Sequence, residues 1–136
     1  MTGNNGYVSN GNGPSVYAVR LSVLARRQID EERGRLTLTA GLTTARAWQD
    51  GLLAAITSLA TYPEGCSLAP ENRLLSSMVL RHLIYRRTRS GPAWRIIFSV
   101  EEANKNDPAT VRIQHVRHGA QASLTEWPSD DENMEN

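Results

Sequence analysis

The sequence predicts an α+β fold of order β-α-α-β-β-β, in which a helical hairpin packs on a small, mainly antiparallel sheet. Two observations carry this expectation. Trp48, Leu52, Ala55, Ile56 and Leu59 recur at three- and four-residue steps, the period of one helix face. Downstream, three runs rich in Val, Ile and aromatic residues are separated by turn-forming or polar stretches, the mark of consecutive strands.

Each element follows from local chemistry. Val16 to Val23 alternates apolar with other residues and reads as a strand. Leu24 to about Leu38 places Ala25, Ile29 and Leu36 among many charges, so it reads as a surface helix with a narrow apolar stripe, weakened in its second half by Gly34. Gly41 suits a terminator, and Thr43 or Thr44 suits the cap of the next helix. That second helix stops before Pro63. The short link makes the pair an antiparallel hairpin. Tyr62 to Ser77 contains Pro63, Gly65 and Pro70 and reads as a loop. Val79 to Arg87, Trp94 to Val100 and Thr110 to Arg117 follow as a meander, with the second run apolar enough for a central position. Ser90-Gly91-Pro92 supplies one turn, and Glu101 to Pro108 a polar loop. The face of the sheet away from the helices is expected to be partly open, with Arg side chains available to solvent or a partner.

The 136 residues suit one domain with one modest core. Residues 1–14 are expected to be a flexible Gly/Asn-rich leader without signal-peptide character, 15–122 the folded domain, and 123–136 an acidic mobile tail. No apolar stretch approaches the ~20 residues of a membrane span. The single cysteine, Cys66, excludes an intramolecular disulfide and argues against a Cys-based metal site, so no metal or cofactor is expected. It reads as a half-buried loop residue rather than a nucleophile, and a reducing cytoplasm is the expected compartment.

The net charge of +1 conceals a gradient. All 15 basic residues lie between Arg20 and Arg117, against nine acids before residue 123, an excess of six; the remaining five acids lie in the tail. Fourteen of the 15 are Arg, whose planar fork grips phosphate or carboxylate at two points. A GC-rich genome would give the same bias.

Three motifs in this order resemble the RelE/ParE superfamily of type II toxins, including its plasmid-stabilisation members. They are CSLAPEN (Cys66 to Asn72), the pair VLRHLIYRR and WRIIFSVEE, and VRIQHVRHGAQ (Val111 to Gln121), which ends in a His-Gly step. The resemblance spans roughly residues 16–122. Two departures stand out: the loop from Glu101 to Pro108 is long for the family, and Gln121 stands where many relatives carry Arg.

The resemblance implies a growth-inhibiting toxin, a cognate antitoxin encoded by an adjacent gene, and one of two targets. RelE-like members cleave mRNA on the ribosome, the reading that Arg95 and the Arg-rich strand favour; ParE-like members, the alternative, block DNA gyrase by binding, without catalysis. A non-toxic antitoxin-binding module is the third reading. The apolar stripe of the helical hairpin is an expected antitoxin landing site.

Cleavage needs a base for the ribose 2′-OH, positive charge on the phosphorane and an acid for the leaving oxygen. Arg95 matches the family's central-strand Arg and is the candidate for that charge, with Arg117 and His118 at the end of the last strand as catalytic candidates. Imidazole can act as acid or base near neutral pH. Arg81, Arg86, Arg87 and Arg89 are candidates for RNA phosphate binding. Each has a plainer reading. Arg95 in an apolar strand must be paired, for which Glu71, Glu101 or an antitoxin acid would serve. The Arg81–Arg89 run suits a solvated face, and His118 a strand end. Strict alternation puts Val111, Ile113, His115 and Arg117 on one face, and Arg112, Gln114, Val116 and His118 on the other, which makes His115 a buried, hydrogen-bonded neighbour of the core.

Overall fold

The computed structural model describes residues 16–75, 77–121 and 123–127; the expected leader and the tail beyond residue 127 lie outside the described residues. The element order is β1 (Ala18–Leu21), α1 (Val23–Ala40), α2 (Leu42–Ser58), a 3-10 turn (Pro63–Gly65), β2 (Ser67–Leu68), a second 3-10 turn (Pro70–Leu74), β3 (Leu80–Arg86), β4 (Ala93–Glu101) and β5 (Thr110–His118). The sheet runs β1-β5-β4-β3-β2, parallel between β1 and β5 and antiparallel elsewhere. The apolar β4 is central, as its composition predicts.

Local chemistry explains where the structure departs from the expected boundaries. β1 stops at Leu21 because the Ser22 hydroxyl accepts from the Ala25 amide and caps α1. Gly34 does not shorten α1, which continues to Ala40 and ends at Gly41 with φ 94°, a conformation that favours glycine. No threonine caps α2; Gly41 is its N-cap, without a side-chain bond. The stretch 62–77, expected to be a plain loop, contributes the edge strand β2 and two 3-10 turns.

The helical hairpin covers one face of the sheet. Ala25, Ile29, Trp48, Leu52 and Ile56 pack there on Trp94, Ile96, Phe98, Val111, Ile113 and Val116. Leu38 and Leu42, at the tip of the hairpin, are exposed. No described helix is long and apolar enough to cross a membrane.

A bulge decides which side chains of β5 face which way. Ile97 pairs with His115 and Phe98 with Ile113, so Gln114 is an extra residue. Strict alternation fails there. Val116 and His118 join Val111 and Ile113 on the helix side, while His115 and Arg117 turn to the other face beside Ile97 and Arg95. His115 and His118 still point oppositely. Past the end of β1, Gln28 of α1 closes the exposed edge of β5: its Oε1 accepts from the Val116 amide at 2.8 Å and its Nε2 lies 2.9 Å from His115 Nδ1.

The face away from the helices is less open than its Arg content suggests. Ala69, Leu80 and Ile97 form a small second core there, with Leu75 and Trp127 packed against it. Residues 123–127 lie on this face, although their polar composition predicts a free tail from residue 123. Trp127 packs against this core, and the Leu124 amide donates to Glu71 Oε2 at 3.0 Å.

Candidate functional site

The sequence-predicted catalytic residues divide between the faces of the sheet, Arg95 and Arg117 on the face away from the helices and His118 on the helix side. On the face away from the helices, Arg95 is buried, 7% exposed. Its Nη1 and Nη2 donate to the two oxygens of Glu71 at 3.0 and 2.6 Å, and its Nε donates to His82 Nδ1 at 3.1 Å. Glu71 is delivered by the second 3-10 turn. That turn is anchored by Asn72 Oδ1, which accepts from the Leu80 amide at 2.8 Å, and by the Ala69 amide, which donates to the Leu80 carbonyl at 2.8 Å. Burial would raise the Glu71 carboxyl, but hydrogen bonds from Arg95 and the Leu124 amide outweigh it and bring the pKa down to about 2. Burial, then the adjacent Arg95 charge, lowers the His82 pKa. This is a two-point charge-assisted pair with no solvent around the carboxylate. Of the partners open to Arg95 in the sequence, it takes Glu71; Glu101 binds Arg112 Nε instead, at 2.9 Å.

A second group lies where β3 and β5 end and β4 begins. Trp94 pairs with His118 and Tyr85 with Trp94. The His118 ring sits edge-to-face on Trp94 with centroids 4.8 Å apart. The turn after it is fixed by its own groups: His118 Nδ1 accepts from the Ala120 amide, the His118 amide donates to Gln121 Oε1, and the Gly119 amide donates to the Ala93 carbonyl at 2.7 Å. A Cβ at residue 119 would stand 3.0 Å from that carbonyl oxygen, so the glycine of the His-Gly step permits a close crossing. Gln121, at the position of the family's Arg, thus closes a turn.

Between this turn and α1 lies a polar cleft of about 550 Å³, which His118 and Arg117 line together with Glu31, Glu32, Arg35 and Gln121. Arg35 is bonded to Glu32 along the helix. The acidic pair and Arg35 come from the charged side of α1 and carry no sequence signal linking them to a strand more than eighty residues away.

The four arginines expected to hold phosphate do not form one patch. Arg81 donates from Nη1 to the Cys66 carbonyl at 2.8 Å and so fastens β2 and its loop. Arg86 donates to the Gly91 carbonyl at 2.7 Å across the β3–β4 turn. Arg86, Arg87 and Arg89 are exposed, at the same end of the sheet as His118.

A helical hairpin on one side of a five-stranded mixed sheet is consistent with RelE/ParE-type toxins. A family model described as ParE toxin of type II toxin-antitoxin system, parDE, matches residues 19–123, so the chain belongs to that family. No curated protein matches it. The protein is a toxin of a type II toxin–antitoxin system, and the family implies an antitoxin partner.

Proposed function

We propose that this toxin arrests growth by binding a protein target in the cytoplasm, with DNA gyrase the target its family membership suggests, and that it does not cut RNA. The burial of Arg95 in its pair with Glu71 carries this reading. A phosphorane-stabilising cation must reach the scissile phosphate, and this guanidinium is spent inside the protein. His118 lies on the other face of the sheet, so the two cannot converge on one phosphate. The exposed Arg86, Arg87 and Arg89 then serve as a basic contact surface for an acidic partner.

One observation favours the RNA-cleaving alternative: the cleft that brings His118 and Arg117 next to Glu31 and Glu32. There an imidazole and a carboxylate could share proton transfer without Arg95. The two readings separate in one experiment. Purified toxin is added to a gyrase supercoiling reaction and, in parallel, to translating ribosomes with a defined mRNA. The binding reading requires lost supercoiling with intact mRNA. Ribosome-dependent cuts that vanish in His118→Ala would transfer the function to the cleft. Activity in neither assay, with growth unaffected by expression, would leave an antitoxin-binding module.

A further inference from the structure

Ten consecutive residues at the tip of the helical hairpin, Leu36 to Ala45, carry no charge, and Arg35 and Arg46 close the stretch on either side. Leu36 packs against the main core. Beyond it the leucines turn outward: Leu38, near the end of α1, is 89% exposed, and Leu42, the first residue of α2, is 51% exposed. Thr37 and Thr39 donate their hydroxyl protons to the Arg33 and Arg35 carbonyls at 2.8 and 3.0 Å, so their polarity is spent within the helix. A single residue, Gly41, links the two helices, which makes the tip a stiff knob rather than a loop.

The position of the knob narrows what it can meet. Gln28, Glu31 and Arg35 of α1 line the cleft opposite Val116, His118 and Gln121, so α1 runs beside the end of β5. Past Arg35 the helix continues through Ala40, about 7 Å further. The knob thus stands at the end of the sheet where Arg86, Arg87 and Arg89 are exposed, and Arg46 at its base is exposed too. Two copies meeting tip to tip would set these arginines against one another, and the two leucines fall far short of the roughly 800 Å² per partner of a stable dimer. A helix lying on a bilayer presents a long apolar face with Trp or Phe, and the stretch has neither. An apolar pocket in another protein, with acids around its mouth, matches both the leucines and the arginines.

We propose that the hairpin tip is the part of this toxin that enters its protein target, with Leu38 and Leu42 filling an apolar pocket whose acidic rim meets Arg46, Arg87 and Arg89. The inference rests on the reading that the toxin acts by binding a protein. It adds where the contact is centred and what the target must offer there. The leucines supply the buried centre of the contact, and the arginines its charged border.

The test compares the full native chain with two double variants, Leu38→Ser with Leu42→Ser and Leu38→Met with Leu42→Met, each checked by its melting transition. Both leucines are exposed, so all three should fold alike. In a gyrase supercoiling titration the serine variant should need at least about tenfold more protein for half inhibition, while the methionine variant stays close to native. Equal potency of the native and serine forms overturns the inference and leaves the protein-binding reading standing. If the native chain leaves gyrase untouched, that target fails, and the tip is judged by growth instead. Arrest by the native chain with transcripts intact, lost in the serine variant, supports the inference; equal arrest by both overturns it. Sedimentation of the native chain with vesicles of phosphatidylglycerol and phosphatidylethanolamine, abolished by the serine pair, would assign the tip to a bilayer and also overturn it.

Discussion

Arg95 and Glu71 are bound face to face, two guanidinium nitrogens on two carboxylate oxygens, inside the layer between the sheet and the 3-10 turn at Pro70–Leu74. The pair ties the loop carrying CSLAPEN to the central strand. Removing one partner strands a buried charge, which costs about 3–5 kcal/mol. Glu71→Ala should therefore lower the unfolding free energy by that amount in urea denaturation. A double variant, Glu71→Leu with Arg95→Met, should recover most of the loss, because an apolar pair leaves no charge to solvate.

Stability should fall in acid in two stages. His115 is held neutral: burial, then the nearby Arg117 charge, brings it from 6.5 to about 4, against a smaller opposing pull from Glu71. The unfolded chain therefore takes up this proton first, and stability drops as pH falls from about 6.5 to about 4. Burial lowers His82 as well, which adds to the same stage. Glu71 contributes stability that is present above 4.5 and lost as pH falls toward 2. Melting temperatures measured across this range should show both stages, and His115→Asn should shrink the first to the part His82 supplies while leaving the second.

Gln28 fixes the tautomer of His115 and closes the β5 edge with one amide group. Nitrogen chemical shifts should show Nδ1 unprotonated and Nε2 protonated in the native chain. Gln28→Ala leaves the buried Val116 amide without an acceptor and should cost about 1–3 kcal/mol.

Gly51 lets the Tyr85 hydroxyl reach the Trp48 carbonyl at 3.1 Å, since a Cβ at residue 51 would collide with that hydroxyl. Gly51→Ala should cost about 1–3 kcal/mol despite alanine's better helix propensity, and Gly51→Ala with Tyr85→Phe should lose less than the single variant.

The element order, the central place of β4 and the helix face around Trp48 are legible in the sequence because they rest on hydrophobic period, which is local. Glu71 as a partner for Arg95 is also within reach, since a buried arginine demands an acid. The β5 bulge is not. Nothing in VRIQHVRH marks Gln114 as an extra residue, and it is the β4 register that shifts His115 and Arg117 to the other face. The seat of Trp127 is hidden for a related reason: it is an apolar residue in a polar stretch, and only the small core beneath it gives it meaning. The cleft joins Glu31, Glu32 and Arg35 to His118 through tertiary packing alone.

The claim that this toxin works by occupying a protein is tested most directly by supercoiling of relaxed plasmid by purified gyrase, titrated with the toxin, alongside primer extension on mRNA from cells expressing it. Supercoiling should fall as toxin is added while the transcripts stay full length, in the native chain and in His118→Ala alike. Transcripts cut at defined positions by the native chain but not by His118→Ala, with gyrase untouched, would contradict it.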